Sequence, residues 1–257
     1  MKLIILAGGH GSRISEESIS KPKPLIEIGG KPIIWHIMKH YSTFGINDFV
    51  ICCGYKGYLL KEYFSNYFLH TSDVTFDFES NKTTFHESKA EPWRVTLVDT
   101  GQNTLTGGRL LKIKHLLKKA EVFCMTYGDG LSNVNIAKLI ESHYLSKKLA
   151  TVTAVIPPGR FGSLEIVGEN VKSFTEKPPG DSGYVNGGFF VLNESVISYI
   201  DNDQTQWERE PLQKLAVEGE LSAFHHDGFW QPMDTLREKN LLNDLWESNN
   251  APWKSWI

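Results

Sequence analysis

Glycines crowd the chain directly after its first apolar run, "KLIIL", in the stretch "LAGGHGSR" at 6–13. Because glycine has no side chain, such a turn lets backbone N–H groups approach an anion closely, and phosphate oxygens accept several such donors at once. Arg13 closes the stretch, and Lys23 follows in "KPKP", where a proline on each side holds the backbone extended. A glycine turn with one guanidinium and one positioned ammonium suits a triphosphate. The alternative is a long surface loop with solvated basic side chains.

Two familiar phosphate-binding patterns are absent from this stretch. The dinucleotide fingerprint GxGxxG aligns with Gly9 and Gly11 but requires glycine where Ile14 stands, and no acidic residue ends the second apolar run, "ICCGYKG". The Gly-Lys-Ser/Thr ending of a Walker A loop is missing as well. The sequence therefore argues against a Rossmann dehydrogenase and lacks the signature of a P-loop NTPase.

Two aspartates far apart in the chain are candidate metal ligands. Asp129 follows the apolar run "VFCMTYG", so we expect it at the carboxyl end of a buried strand, where open α/β sheets bind ligands. Asp234 lies in "PMDT", ahead of a predicted helix. Two carboxylates brought together repel unless a divalent cation lies between them, and Mg²⁺ takes one or two protein carboxylates plus phosphate oxygens. Taken singly, Asp129 is equally a turn residue before Gly130, and Asp234 is equally the N-cap of the helix.

The overall composition is that of a globular protein with small-molecule partners. The chain has 257 residues, 40% of them hydrophobic and 22% charged, and a formal net charge of −3, which argues against a protein that coats nucleic acid. Cys52, Cys53 and Cys124 fall inside apolar runs and indicate core thiols in a reducing compartment. The first apolar run stops at Ala7, too early for a signal peptide or membrane span. We expect a cytoplasmic protein without membrane contact.

Apolar runs and helical patterns alternate along most of the chain. Strand-like "KLIIL", "DFVICCGY", "VFCMTYGDG" and "ATVTAVI" alternate with helix-like "PIIWHIMKHYSTFG", "YLLKEYFSNYF", "LLKIKHLLKKA" and "NIAKLIESHYLSKK". This alternation predicts an α/β fold with a doubly wound, mainly parallel, Rossmann-like sheet. The tail from "WEREPLQKLAVEGEL" onward predicts two helices around a strand-like segment.

Two segments depart from the alternation. Residues 71–99 contain two alternating runs around the polar turn "SNKT", which predicts a β-hairpin excursion. Residues 160–193 predict antiparallel strands that form a second sheet region or a lid. We therefore expect a single domain, 1–257, with residues 1–130 mainly binding nucleotide and residues 131–257 mainly binding sugar phosphate.

Six blocks in order resemble one enzyme family. "LAGGHGSR", "KPKPLIEIGGKPIIWHI", "YGDG" (127–130), "SFTEKP" (173–178), "VNGGFFVLN" (185–193) and "FWQPMDT" (229–235) resemble the sugar-1-phosphate nucleotidyltransferases, also called sugar-nucleotide pyrophosphorylases. "TLVDTGQNTLTGGRL" and "PPGRFGSLEI" resemble most the members that transfer CMP from CTP to α-D-glucose 1-phosphate, releasing pyrophosphate. The resemblance spans nearly the whole chain. It implies a Mg²⁺-dependent, in-line attack at the α-phosphate, and a product, CDP-glucose, that feeds bacterial surface-polysaccharide (O-antigen) synthesis.

The resemblance assigns roles to particular residues. It implies catalytic roles for Arg13, Lys23 and Lys177, and Mg²⁺ ligation by Asp129 and Asp234. It implies sugar-phosphate binding by Glu176, Lys177, Asn186 and Gly187. It implies nucleotide binding by Leu6, Ala7, Gly8, Gly9, His10, Gly11, Ser12, Arg13, Lys23, Thr104, Arg109 and Gly128.

The choice of base rests mainly on the resemblance. An arginine is a donor only, so Arg109 favours cytosine by donating to its O2 or N3 acceptors and would face an N–H donor of uracil. On its own, Arg109 is equally a helix-surface residue. Two alternatives stay open: a uridylyl- or thymidylyltransferase on another sugar 1-phosphate, and a non-catalytic relative that binds nucleotide sugars as a regulatory subunit.

The expected partners are small molecules and further copies of the chain. The small molecules are CTP, glucose 1-phosphate, CDP-glucose and pyrophosphate. The resemblance implies a homo-oligomer, specifically a hexamer. The hairpin at 71–99 and the aromatic tail "APWKSWI" are its candidate contacts. The tail is too apolar to be free in solvent, so we expect it to dock on the body of the protein or on another subunit. None of the nine histidines is assigned a catalytic role.

Overall fold

The computed structural model describes residues 1–9, 20–87, 89–157, 163–167, 170–175 and 183–256, with the backbone alone at 163–167 and 170–175. Its strands in chain order are β1 Lys2–Leu6, β2 Glu27–Ile28, β3 Lys31–Pro32, β4 Asp48–Cys53, β5 Asp73–Asp77, β6 Lys82–His86, β7 Arg94–Asp99, β8 Val122–Tyr127, β9 Gly130–Ser132, β10 Ala150–Val155, β11 Ser163–Val167, β12 Asn170–Thr175, β13 Val185–Asn193, β14 Leu221–His226 and β15 Trp230–Pro232. Its α-helices are α1 Ile33–Ser42, α2 Gly57–Ser65, α3 Tyr67–Thr71, α4 Thr106–Lys112, α5 Ile136–Ser146, α6 Glu210–Val217 and α7 Leu236–Glu247. Short 3₁₀ turns occupy Lys23–Leu25, Lys114–Leu116 and Glu194–Tyr199.

The main sheet is mixed and mostly parallel, which confirms the predicted fold class. Among the described residues its strand order is β14-β10-β13-β8-β1-β4-β7. Strand β13 runs antiparallel to β8 and β10, and the other neighbours pair in parallel. Strands β1, β4, β7 and β8 therefore end at the same edge of the sheet, where Gly8 and Gly9 after β1 and Asp129 after β8 also lie.

The apolar runs form strands because both faces of the sheet are covered. Leu3 and Ile5 pack into one hydrophobic cluster with helix α1, while Ile4 and Leu6 pack into a second cluster on the opposite face. A strand buried on both faces needs a continuous apolar run, since successive side chains alternate between the faces. The cysteines are buried free thiols, as predicted.

The structure corrects the boundaries of the two irregular segments. The antiparallel hairpin is β5–β6, whereas β7, also inside the range 71–99, is an edge strand of the main sheet paired with β4. Likewise, within the described residues, β11 and β12 pair only with each other, while β13 lies between β8 and β10. Phe190, Val191 and Leu192 are fully buried there. A run this apolar requires cover on both sides, which a peripheral sheet would not supply.

Helix α4 begins earlier than the sequence pattern predicts and ends at Lys112, where "LLKIKHLLKKA" suggested a longer helix. Its start contains Gly107 and Gly108, which lie directly against the segment 203–208. A side chain at Gly108 would place a Cβ only 2.5 Å from the carbonyl oxygen of Asp203. The glycines allow this backbone contact, and Gly107 N–H donates to the oxygen of Thr205 at 3.0 Å.

The aromatic C-terminal segment is docked on the body of the protein, as predicted. Trp253 is fully buried, and its indole N–H donates to His36 Nδ1 on helix α1 at 3.3 Å. His36 Nε2 in turn donates to the oxygen of Ile28 at 2.8 Å. One turn later on α1, His40 contacts Ser255 Oγ at 3.2 Å and the oxygen of Val134 at 2.9 Å. Two buried histidines thus hold the tail.

These histidines make stability depend on pH. Burial lowers the pKa of His36 and of His40 to about 4, so both are neutral when folded. An unfolded histidine titrates near 6.5, so stability is fully present above that pH and is lost as pH falls toward 4, by roughly 3 kcal/mol per histidine at 1.36 kcal/mol per pH unit. The charge of Lys31 lowers the pKa of His36 further, and His226 lowers the pKa of His40 in the same way.

We expect His40→Gln, which keeps a donor for the Val134 oxygen but does not titrate, to reduce the slope of unfolding free energy against pH between 4 and 6.5. The measurement is denaturant unfolding at a series of pH values. The exposed His115 provides the control substitution. An unchanged slope in His40→Gln would contradict the assignment.

Candidate active site

A cleft of about 590 Å³ opens at the edge of the sheet where β1, β4, β7 and β8 end. Every described residue predicted to bind nucleotide or metal lines this cleft: Leu6, Ala7, Gly8, Gly9, Lys23, Thr104, Arg109, Gly128, Asp129 and Asp234. A small adjoining pocket is lined by Asn186 and Gly187, both predicted to bind the sugar. His10, Gly11, Ser12, Arg13, Glu176 and Lys177 lie outside the described residues, so their roles stay predictions.

Lys23 joins the two distant aspartates. Its ammonium donates to Asp129 Oδ2 and to Asp234 Oδ1, both at 2.7 Å. Lys23 is only 9% exposed. Burial on its own would lower the pKa of Lys23, but the charges and hydrogen bonds of the two carboxylates outweigh it and raise that pKa above its usual value. The lysine is therefore a fixed cation at the edge of the cleft.

Tertiary pairing brings the two aspartates together. Strand β9 pairs antiparallel with β15, so Gly130 lies opposite Pro232, and Met233 N–H donates to the oxygen of Asp129 at 2.8 Å. The N-cap of helix α7 is Thr235, which forms a capping box with Glu238. Asp234 is therefore not the N-cap, and its carboxylate meets Lys23.

The donor chemistry of this pair fits a nucleotide-bound divalent cation. The two carboxylates already converge on one positive charge, which shows that a cation can contact both. Across the described ranges, no cluster of three or more acidic, histidine or cysteine side chains is placed to hold a metal alone. Mg²⁺ accepts this arrangement because it commonly keeps waters and shares phosphate oxygens with a substrate.

Arg109 lies beneath the cleft and is not a helix-surface residue. It is 4% exposed. Its Nη1 donates to the oxygens of Cys53 and Gly101 at 3.0 Å and to Thr100 Oγ1 at 2.6 Å, and its Nη2 donates to the oxygen of Gly8 at 3.0 Å. Burial lowers the pKa of its guanidinium. These contacts join the ends of β1, β4 and β7, a positioning role that the sequence reasoning missed; the contact with the base stays a prediction.

The segment before helix α6 contributes two further cleft residues that sequence reasoning missed, Gln206 and Glu208. Glu208 accepts a hydrogen bond from the hydroxyl of Tyr127, which also lines the cleft. Burial, and then the charge and hydrogen bond of Glu208, raise the pKa of Tyr127. The sequence signal for this segment was the pair Gly107 and Gly108 in α4, because adjacent glycines in a helical pattern indicate that another part of the backbone approaches closely.

Asn186 lies at the boundary between the cleft and the small pocket. Its Oδ1 accepts from the backbone N–H of Gly188 at 2.8 Å, and its Nδ2 approaches the Tyr127 oxygen at 3.5 Å. The oxygen of Gly187 accepts from the indole N–H of Trp230 at 2.7 Å.

Both halves of the chain line the cleft, since Glu208 and Asp234 come from the second half. The predicted division of labour between the halves stays a prediction.

The fold and this site define a nucleotide-transferring protein, and a family comparison agrees. The model of the nucleotidyl transferase family matches residues 2–235, and the chain belongs to this family. Over 256 residues it is 60% identical to the glucose-1-phosphate cytidylyltransferase of Salmonella typhi, with 100% of both chains covered. It is 42% identical over 257 residues to a probable glucose-1-phosphate cytidylyltransferase of Bacillus subtilis, again with 100% of both covered.

A solved structure supports the fold. HddC from Yersinia pseudotuberculosis superposes with a TM-score of 0.70 at 22% identity, covering 95% of this chain and 99% of that one. The resemblance inferred from the sequence blocks is confirmed at the level of the family. In the part of the chain that the structure describes, no helix has both the length and the apolar character needed to cross a membrane.

Proposed function

We propose that the chain transfers CMP from CTP to α-D-glucose 1-phosphate and releases pyrophosphate. The name of the Salmonella typhi relative, which is 60% identical over its full length, supports the substrates. The observation that carries the chemistry is the Lys23 ammonium held between Asp129 and Asp234 at the rim of the cleft. The positive charge of this ammonium can neutralise negative charge on a phosphate bound in the cleft.

The reaction needs positioning more than proton transfer. An oxygen of the sugar phosphate attacks the α-phosphorus, and the bond from that phosphorus to the bridging oxygen breaks, so pyrophosphate leaves with the electron pair. The nucleophile is already an anion near neutral pH, because the second pKa of a phosphate monoester is about 6. Repulsion between two anions and their alignment therefore set the barrier. Attack from the side opposite the leaving group inverts the α-phosphorus.

The residues of the chain divide this work. Lys23 balances negative charge at the α-phosphate, and the backbone of Gly8 and Gly9 faces the nucleotide phosphates. The family resemblance supports two further roles. Arg13 stabilises the negative charge of the departing pyrophosphate, and Lys177 and Glu176 bind the sugar phosphate. Asp129 and Asp234 would hold Mg²⁺, which supplies charge neutralisation to the phosphates when bound.

The test is product formation with each nucleotide. Purified protein, MgCl₂ and radiolabelled glucose 1-phosphate are combined with CTP, UTP, GTP, ATP or dTTP in turn, and labelled nucleotide sugar and pyrophosphate are measured. We expect CTP to give the highest kcat/KM, because the relatives that are 60% and 42% identical to this chain over their full length are named for cytidylyl transfer. A higher value with UTP or dTTP would make the protein a uridylyl- or thymidylyltransferase.

The same assay addresses the non-catalytic alternative. CDP-glucose binding without turnover, with or without MgCl₂, would show a regulatory nucleotide-sugar-binding protein.

We also propose that the protein acts in the cytoplasm as a homo-hexamer. Sedimentation analysis of the purified chain reports its subunit number directly.

A further inference from the structure

A carboxylate that lines the cleft accepts hydrogen bonds from two hydroxyl groups. Glu208 Oε1 accepts from the hydroxyl of Tyr127 at 2.6 Å, and Glu208 Oε2 accepts from Thr106 Oγ1 at 2.6 Å. Tyr127 ends strand β8, Thr106 begins helix α4, and Glu208 precedes helix α6. All three line the nucleotide cleft. The carboxylate thus joins three elements that are distant in the sequence.

The carboxylate of Glu208 fixes the direction of both hydrogen bonds. A carboxylate accepts hydrogen bonds and donates none, so the protons of both hydroxyls point at Glu208. Each hydroxyl oxygen then offers only lone pairs to its other neighbours. Thr106 Oγ1 already accepts from the backbone N–H of Trp207 at 2.9 Å. Among the described residues, the Tyr127 oxygen has one contact besides Glu208, the long 3.5 Å approach of Asn186 Nδ2.

The ring of Tyr127 is placed where two pockets meet. It lines both the nucleotide cleft and the small pocket of Asn186 and Gly187. Gly188 has a φ of 80°, and a Cβ there would lie 2.7 Å from the tyrosine ring. Packing against Gly188 therefore sets the position of the ring, and Glu208 sets the direction of its hydroxyl.

We propose that Glu208 is a positioning residue that holds the Tyr127 oxygen as an acceptor for a hydroxyl group of a sugar ring at this junction. The inference rests on the proposed function and names a group that recognises its substrates. The hydroxyl belongs either to the ribose of the nucleotide or to the hexose of the sugar phosphate, and the two sources share the same chemistry.

Three variants test the coupling: Tyr127→Phe, Glu208→Gln and the double variant. Tyr127→Phe removes the acceptor. In Glu208→Gln the amide oxygen accepts from one hydroxyl while the amide nitrogen donates to the other, so the Tyr127 oxygen is no longer fixed as an acceptor. We expect each single variant to raise KM for one substrate by about 3- to 10-fold, as for one lost uncharged hydrogen bond, with kcat nearly unchanged. The double variant should be no worse than Tyr127→Phe, because both changes remove one interaction.

The substrate that is affected identifies the source of the hydroxyl. A raised KM for CTP assigns the ribose, and a raised KM for glucose 1-phosphate assigns the hexose. The Tyr199–Glu218 pair is a matched control, since Tyr199 donates to Glu218 Oε2 at 2.5 Å and neither residue lines the cleft. Tyr199→Phe and Glu218→Gln should leave both KM values unchanged.

Calorimetric binding of CTP, glucose 1-phosphate and CDP-glucose to each variant separates this inference from the proposed reaction. Weakened binding in Tyr127→Phe and Glu208→Gln supports it even if the unmodified protein shows no turnover. Additive losses in the double variant, or normal affinities and KM values in both single variants, would overturn it. Failure of the unmodified protein to bind any of the three ligands would overturn both proposals. Tyr127→Phe removes one oxygen only, so it serves as the decisive variant should Glu208→Gln not fold.

Discussion

Asp129→Ala is expected to lower kcat by about 100-fold or more, the scale seen when one preorganised electrostatic group is removed from a transition state. Asp129 both orients the Lys23 ammonium, at 2.7 Å, and supplies half of the carboxylate pair for a divalent cation. Lys23→Ala should have an effect of the same size, because it leaves the two carboxylates facing each other without their cation. The measurement is steady-state pyrophosphate release with CTP and glucose 1-phosphate.

A structural control accompanies these variants. Asp48 begins strand β4, at the opposite edge of the sheet from the cleft, and its Oδ2 lies 3.9 Å from Nη1 of the exposed Arg94. Asp48→Ala should retain near-normal kcat, since an exposed pair at this distance contributes little. Melting temperatures of all variants show whether the fold persists. Near-normal turnover in folded Asp129→Ala or Lys23→Ala would remove the roles assigned to them.

Arg109→Ala is expected to destabilise the protein by about 3 kcal/mol and to reduce turnover with every nucleotide. The substitution removes the guanidinium hydrogen bonds to the oxygens of Cys53, Gly101 and Gly8, and each such hydrogen bond contributes about 1 kcal/mol. The ends of β1, β4 and β7 lose their common partner, so the floor of the cleft loses its shape. Denaturant unfolding and turnover with CTP and UTP are the measurements.

Arg109→Lys is the matched variant. Lysine keeps the charge but has no planar guanidinium that reaches acceptors on three strands. Arg109→Lys should therefore restore little of the lost stability or of the lost turnover. Because the Nη atoms donate to protein oxygens, CTP and UTP turnover should fall together in both variants. A fall confined to CTP, in a protein of normal stability, would instead show that Arg109 contacts the base directly.

Several structural features followed from local patterns in the sequence. The runs "KLIIL" and "DFVICC" predict buried strands because their side chains are apolar on both faces, and β1 and β4 are such strands. The glycine turn after β1 and the aspartate after β8 were placed at one edge of the sheet by the same reasoning. The order of the family blocks then pointed to nucleotidyl transfer, which the family match confirms.

Other features were missed because their local patterns were ambiguous. The range 160–193 suggested a separate sheet, yet β13 lies inside the main sheet and runs antiparallel to its neighbours. An apolar run shows that a strand is covered, but it does not show which strands cover it or in which direction they run. Arg109 presented the same difficulty, since nothing in "TGGRL" distinguishes a surface guanidinium from one buried under three strand ends.

The sequence by itself determined the α/β alternation, the buried strands, the position of Gly8 and Gly9 directly after β1 and the family, because these depend on side-chain type and short-range spacing. Only the tertiary structure decided which side chains meet. The pairing of β9 with β15 places Asp129 beside Asp234, and the contact of 203–208 with Gly107 and Gly108 carries Glu208 to Tyr127. The physical reason is that these contacts join residues roughly 80 to 100 positions apart, and they form only when the sheet, its register and its covering helices are all in place.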